Sequence, residues 1–175
     1  SGTRIKTAST PTADTICEAC AVGKASAGGQ SACDDCNGDG EYSDETGLSA
    51  CKTASAGMKP TSSRDNVEDC AAGTFSVGGT TQCTNCVSGK YSASTGAVGC
   101  TAASSCGSGT RIKTASTPTA DTICENCAVG KFSSGGSSDC SDCVAGQGYV
   151  APTQGLSSCS YCGAGKYAST TTNSC

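Results

Sequence analysis

Cysteine is the residue type in this sequence with the greatest capacity for chemistry. The chain has 17 cysteines among 175 residues and no histidine. The spacing C-x2-C-x12-C-x2-C, which could hold zinc through four thiolates, occurs twice: at Cys17, Cys20, Cys33 and Cys36, and at Cys124, Cys127, Cys140 and Cys143. In a third segment Val67 stands where the same spacing would require a cysteine, and zinc would leave other cysteines without partners. We therefore expect disulfides and no cofactor.

A second candidate for metal chemistry is the acidic segment "DDCNGDGEYSDETG". Asp35, Asn37 and Asp39 alternate as the ligands of a calcium loop do. The EF-hand spacing would require a glutamate where Thr46 stands, and the matching segment of the second repeat, "SDCVAGQGYVAPTQG", lacks the acidic residues. A solvated acidic turn is the favoured interpretation, with calcium as the alternative.

No arrangement of residues suggests catalysis. Without histidine there is no ordinary general base, and no activated nucleophile can be recognised, so we expect no enzyme activity. The net charge is −4 and the basic residues are scattered, which argues against nucleic-acid binding. No apolar run approaches the ~20 residues that a transmembrane helix needs, so no membrane span is expected in this segment.

Seven modules share one plan: a cysteine, small residues, a glycine, a variable residue, an aromatic residue, a serine, and polar residues up to another cysteine. The two bounding cysteines enclose 12 to 15 residues, and we pair them, although partners could exchange within a C-x-x-C. The predicted pairs are Cys20–Cys33, Cys36–Cys51, Cys70–Cys83, Cys86–Cys100, Cys127–Cys140, Cys143–Cys159 and Cys162–Cys175.

An eighth pair follows from comparing linkers. The linker from Cys100 to Cys127 contains Cys106 and Cys124, whereas its shorter counterpart from Cys51 to Cys70 lacks both. Cysteines that are absent together are expected to be bonded together, so we predict Cys106–Cys124. By the same reasoning the partner of Cys17 would fall two positions before Ser1, which suggests a window on a longer array; a free reactive thiol is the alternative.

The chain repeats itself. The stretch "SGTRIKTASTPTADTIC" occupies residues 1–17 and recurs at 108–124, and the cysteines that follow keep the offset of 107. We therefore divide the chain into a first period, residues 1–106, with modules at 20–33, 36–51, 70–83 and 86–100. A second, truncated period covers residues 107–175, with modules at 127–140, 143–159 and 162–175.

Large apolar side chains are too few for a shared core. Leu, Ile, Val and Phe together number 16 in 175 residues, so disulfides must replace the core. The predicted fold is a small disulfide-rich repeat, an elongated rod of short β-hairpins and loops with almost no helix and no large hydrophobic core. One ring is expected to pack locally after a turn glycine in every module but the first, which has Ala25 at that position. The rings are Tyr42, Phe75, Tyr91, Phe132, Tyr149 and Tyr167.

The segments "DTICEACAVGKAS" and "DTICENCAVGKFS" resemble the cysteine-rich repeats of the tumour necrosis factor receptor superfamily. "CVSGKYSASTGAVGCTAASSC" is similar to the ephrin-receptor-like cysteine-rich repeats. The resemblance covers nearly the whole chain, and it implies a rod of disulfide-linked loops of the kind used in ectodomains and in large surface proteins.

The cysteine content predicts a secreted or surface-exposed protein. The Ser/Thr-rich loops around Pro11 and Pro118 suit O-linked glycans, with Thr10, Thr12, Thr117 and Thr119 as candidate sites. Identical exposed residues in two periods favour a structural segment of an extracellular fibre, surface appendage or matrix that associates with itself. The alternative is a receptor or adhesin ectodomain that binds a protein ligand.

Overall fold

The strands pair two by two, and each pair consists of consecutive strands that form a separate two-stranded sheet. The computed structural model describes residues 1–136 and 139–175, and the hairpins in these residues are antiparallel. They are β1 (Thr3–Thr7) with β2 (Ile16–Ala19), β3 (Lys24–Ala25) with β4 (Asp34–Asp35), β5 (Glu41–Tyr42) with β6 (Lys52–Thr53), β7 (Met58–Pro60) with β8 (Val67–Asp69), β9 (Thr74–Phe75) with β10 (Thr84–Asn85), β11 (Lys90–Tyr91) with β12 (Thr101–Ala102), β13 (Thr110–Thr114) with β14 (Ile123–Asn126), β15 (Lys131–Phe132) with β16 (Ser141–Asp142), and β17 (Tyr149–Val150) with β18 (Ser160–Tyr161).

Helix is confined to a single 3₁₀ turn, Ala145–Gln147, in the part of the chain that the structure describes. Glycine, serine and threonine interrupt every apolar run, so no helical face could form. Within the described residues, no helix is long and apolar enough to cross a membrane. The prediction of a small disulfide-rich repeat built from hairpins is therefore confirmed.

Eight disulfides hold the hairpins. Each bond joins residues whose Cα atoms lie 5.4–5.7 Å apart, and the bonds are the eight pairs that the module rule and the linker comparison predict. They are Cys20–Cys33, Cys36–Cys51, Cys70–Cys83, Cys86–Cys100, Cys106–Cys124, Cys127–Cys140, Cys143–Cys159 and Cys162–Cys175.

The first cysteine of each bond and a neighbouring serine form the interior. Cys20, Cys36, Cys70 and Cys127 are almost completely buried. The serine that follows the ring position is buried as well, and no buried side-chain nitrogen or oxygen among the described residues lacks a hydrogen-bond partner. These serines are Ser26, Ser43, Ser76, Ser92 and Ser133.

The rings lie further out than the sequence suggests. Tyr42, Phe75, Tyr91 and Phe132 are half-buried, while Tyr167 is 83% exposed. The first cysteine of each bond and the serine after the ring position are buried instead, so they and not the rings occupy the small interior.

Tyr149 does not occupy the ring position of its module. In that module the turn glycine is Gly148, with φ of 80°, because a 3₁₀ turn takes up the additional residues before it. Val150 therefore takes the ring position and is buried, whereas Tyr149 is displaced by one residue and is exposed. It makes an edge contact with Tyr161, with ring centroids 5.3 Å apart.

Successive modules are joined by backbone hydrogen bonds at a glycine. The amide of Gly23 donates to the carbonyl of Ser43 in the next module (2.8 Å), and its carbonyl accepts from the amide of Cys36 (2.9 Å). Gly73 and Gly130 make the same pair of bonds. All three glycines have positive φ, a conformation that residues with a Cβ rarely adopt.

The chain forms two compact units, Ser1–Thr101 and Ala102–Cys175. The division lies a few residues before the end of the first sequence period, residue 106. The reason is covalent: Cys106 is bonded to Cys124, so the segment leading to Cys106 belongs with the second unit.

Candidate functional site

The repeated hairpins β1–β2 and β13–β14 are the most distinctive feature of the surface. In the first hairpin Arg4 pairs with Glu18, and in the second Arg111 pairs with Glu125. Both hairpins contain a register shift at the same place, between Ile5 and Thr7 and between their counterparts 107 residues later. The repeated sequence therefore folds into a hairpin of the same register in both units.

Each hairpin carries an ion pair on its exposed face. Arg4 contacts Glu18 at 2.8 Å, and Arg111 contacts Glu125 at 2.5 Å. Lys113 lies 3.4 Å from the Glu125 carboxylate. The hydrogen bond from Arg111, followed by that from Lys113, holds the pKa of Glu125 below its usual value. The ion pairs are solvated, so they order side chains more than they stabilise the fold.

A shallow groove lies beside each hairpin and repeats with it. Comparable grooves adjoin β1–β2 (about 390 Å³), β13–β14 (about 250 Å³) and β7–β8 (about 730 Å³). The first two have lining residues at equivalent positions, and each is lined by the ion pair and by one disulfide-bonded cysteine. The lining of the first is Arg4, Glu18, Ala19, Ala21, Lys24, Ala32 and Cys33; that of the second is Arg111, Glu125, Asn126, Ala128, Lys131, Asp139 and Cys140.

The β7–β8 groove resembles the other two but has additional polar walls. Lys59 and Glu68 form its ion pair, with the two charged groups 2.5 Å apart. Pro60, Thr61, Ser62, Arg64 and Thr81 also line this groove. Mixed charge and an open shape suit contact with another polar protein surface.

The Ser/Thr-rich loops close in the same way in both units. Thr10 and Ala13 exchange backbone hydrogen bonds of 2.8 and 3.3 Å, and Thr117 and Ala120 exchange bonds of 3.0 and 3.3 Å. The candidate glycosylation sites Thr10, Thr12, Thr117 and Thr119 are all exposed. The loops therefore present the same hydroxyls to solvent twice.

The calcium candidates have protein partners. Asp35 forms an ion pair with Lys24. Asp39 accepts hydrogen bonds from the amide (2.7 Å) and the hydroxyl (2.6 Å) of Thr81, and these bonds, the hydroxyl's above all, lower the pKa of Asp39. Asn37 is exposed. Residues 1–136 and 139–175 contain no group of three or more His, Cys, Asp or Glu side chains that could hold a metal ion.

Arg64 links the β7–β8 hairpin to the preceding module, a role that sequence reasoning missed. Its guanidinium donates to the carbonyls of Gly38 (2.8 Å) and Glu41 (2.9 Å), and its own carbonyl accepts from the amide of Ser43 (2.8 Å). Its φ of 59° is unusual for arginine. No motif marks this residue, because its partners are backbone carbonyls 23 and 26 residues away.

No family model matches the chain, and no curated protein matches it. The resemblance to receptor-type cysteine-rich repeats therefore stays a prediction. The eight disulfides are typical of proteins that fold in an oxidising environment.

Proposed function

We propose that this chain is a structural, non-enzymatic segment of an extracellular fibre, surface appendage or matrix protein that associates with itself. The main support is a repeated part of the surface: the hairpin register, the ion pair and the groove recur at equivalent positions in both units. A repeated surface suits an array, in which each copy makes the same contacts as the one before it. The resemblance to receptor-type repeats is used here only to support the expected architecture of disulfide-linked loops, and it does not support a receptor function.

Exposed hydroxyls add to the proposal. The loops at Thr10 and Thr117 are solvent-facing turns, closed by the same pair of backbone hydrogen bonds in both units. We propose that they carry O-linked glycans, which would protect a surface filament from proteases. A glycan on Thr10 or Thr12 is then expected to recur on Thr117 or Thr119 in a glycopeptide map.

A receptor or adhesin ectodomain is the second candidate. Its support is the β7–β8 groove, which differs from its two counterparts in size and in the residues Pro60, Arg64 and Thr81. A ligand site needs a distinctive patch of this kind, whereas an array needs sameness. A protein ligand would be expected to lose affinity on Lys59→Glu and to keep it on Lys24→Glu, in the first groove.

Electron microscopy of the native material tests the main proposal. An antibody raised against the peptide TRIKTASTPTADTIC recognises both hairpins, so it is expected to label filaments at regular intervals along their length. An antibody against the single-copy segment KPTSSRDN provides the control and should label with a longer interval. Labelling of isolated surface molecules with no filament would contradict the fibre and favour the receptor.

A further inference from the structure

Two tyrosine rings meet on the surface of the hairpin β17–β18. Tyr149 and Tyr161 lie opposite each other across the two strands, and their rings are arranged edge to face with centroids 5.3 Å apart. This is the one pair of rings in contact in the part of the chain that the structure describes. Tyr149 is 41% exposed and Tyr161 is 68% exposed, so both phenols are open to solvent.

Other short hairpins have a polar pair at this position, directly after the turn glycine. Lys24 faces Asp35 and Lys131 faces Asp142, and both are ion pairs. The tyrosine pair takes the same place after Gly148. Since a polar pair is sufficient to build the hairpin in the other modules, the fold alone does not require two phenols here.

The backbone of this hairpin holds the rings close together. A Cβ placed on Gly148 would lie 3.0 Å from Cε2 of Tyr161, so the ring of Tyr161 lies against the glycine backbone. The carbonyl of Gly148 accepts from the amide of Cys162 (2.9 Å), and the Cys143–Cys159 bond closes the loop. Exposed side chains change rotamer within picoseconds to nanoseconds, so the rings can reach bonding distance without any change in the backbone.

We propose that Tyr149 and Tyr161 are an oxidative cross-linking site, at which a peroxidase that uses hydrogen peroxide joins the two rings as dityrosine within one chain. Each phenol gives up one electron and its hydroxyl proton, and the two phenoxyl radicals form a C–C bond between ring carbons ortho to the oxygens. The ortho hydrogens leave as protons and the hydroxyl groups are restored. The net loss of two hydrogen atoms reduces one hydrogen peroxide to two water molecules.

The cross-link supplements the disulfides. Tyr149 lies inside the loop that the Cys143–Cys159 bond closes, and Tyr161 lies outside it. A C–C bond between the rings is not broken by thiols, so it keeps β17 and β18 together after that disulfide is reduced. An oxidising environment, which the eight disulfides also require, is compatible with this chemistry.

Mass spectrometry of the intact chain after oxidation tests the proposal. The chain, at about 10 μM, is treated with a haem peroxidase and limiting hydrogen peroxide, then reduced, alkylated and digested with trypsin. Cleavage after Lys131 and Lys166 leaves both tyrosines in the peptide of residues 132–166. We expect this peptide to lose two hydrogen atoms and to gain dityrosine fluorescence. Because the effective concentration of a tethered partner is in the mM range, this product should exceed cross-linked dimers by about a hundredfold.

Three variants separate ring proximity from exposure. Tyr149→Phe and Tyr161→Phe each remove one phenol, and each is expected to abolish the product within the chain. Tyr167→Phe is the control: Tyr167 is 83% exposed, more than either partner, and its removal should leave the product unchanged. Peptide mapping of each variant confirms that the eight disulfides are intact.

Three results would overturn the proposal. Dimers linked through Tyr167 as the main product would mean that exposure, and not the ring contact, decides the site. Persistence of the product in either Phe variant of the pair would exclude these two rings. Absence of the cross-link from peptide 132–166 of the native material would show that the chain does not use the site. Antibody labelling tests the fibre independently, because the cross-link forms within one chain.

Discussion

A serine hydroxyl lies where most small domains have a large apolar side chain. Where a Gly-Gly pair follows the serine, the serine oxygen accepts a hydrogen bond from the amide of the first of these glycines; Ser76 accepts from Gly78 at 3.0 Å. In modules without this Gly-Gly pair the serine hydroxyl donates instead, as Ser43 does to the carbonyl of Glu45 (3.1 Å). The interior is therefore small and consists of cystine sulfur, a few small apolar side chains and serine. No buried side-chain nitrogen or oxygen among the described residues lacks a hydrogen-bond partner.

Ser76→Ala tests this arrangement. The change leaves the part-buried amide of Gly78 without its acceptor, so we expect a loss of about 1–3 kcal/mol in the free energy of unfolding. Urea denaturation with the disulfides intact measures it. Ser94→Ala removes an exposed hydroxyl from the neighbouring module and is expected to change the stability by less than about 0.5 kcal/mol. Equal effects would mean that the buried hydroxyl contributes nothing.

Asp39 provides a pH-dependent contact. Its pKa is lowered chiefly by the Thr81 hydroxyl and then by the Thr81 amide. A lowered pKa in the folded state means that the contact stabilises the fold above the unfolded-state pKa of about 3.9, and that this contribution is lost as the pH falls through the folded-state value. Thr81→Val should raise the Asp39 pKa, as followed by NMR titration of its carboxyl carbon. Thr95→Val, which changes an exposed threonine, should leave it unaltered.

At the scale of the element, a glycine contact joins the hairpins to the modules. The carbonyl of Gly57 accepts from the amide of Cys70 (2.8 Å), and the amide of Gly96 donates to the carbonyl of Cys70 (2.8 Å). A Cβ on Gly57 would lie 2.3 Å from the oxygen of Gly96, and the equivalent distances at Gly2 and Gly109 are 1.8 and 2.0 Å. Two backbones touch at each joint, and no side chain fits between them.

Gly57→Ala is expected to open this joint. The φ of 83° already disfavours alanine, and the contact with Gly96 adds an overlap, so we expect a loss of at least about 2 kcal/mol of stability. Thermal unfolding with intact disulfides measures the loss. Gly99→Ala is the control, because Gly99 has open space around it and no positive φ. A Gly57→Ala chain as stable as the control would refute the close approach.

For the whole molecule, covalent bonds and not metal ions are expected to maintain the structure. Closing a loop of about 15 residues contributes about 3 kcal/mol, and the described residues contain eight such bonds for nine hairpins. Reductant should therefore abolish the folded state in each unit, whereas a chelator should leave the circular dichroism and proteolytic resistance unchanged. Stoichiometric zinc in the purified chain, or unfolding by the chelator alone, would contradict this expectation.

Much of the architecture could be predicted because the cysteine spacing repeats. A disulfide requires Cα atoms within about 7 Å, so each module had to fold back on itself, and seven similar loops led to one plan. The Cys106–Cys124 bond followed from two cysteines missing together in the shorter linker. The positive φ at the turn glycines followed from their fixed place before each ring.

The candidate site was less predictable. The three grooves are lined by ion pairs such as Lys59–Glu68. Such a pair can be predicted only when the hairpin register is known, because the register places the two residues opposite each other. Arg64 donates hydrogen bonds to two backbone carbonyls. Because every residue has a backbone carbonyl, residue type does not indicate which ones accept these bonds. The prediction that Tyr149 occupies the ring position was wrong, because spacing alone could not decide that Gly148, and not an earlier glycine, makes the turn.

The sequence by itself determined the covalent frame: which loops close, that hairpins replace helices, and that the segment 1–17 returns at 108–124. These properties depend on residue type and spacing along the chain. Only the tertiary structure decided which groups meet across loops. It placed serine and not the ring in the interior and brought Asp39 to Thr81, because such contacts depend on backbone paths that spacing does not encode.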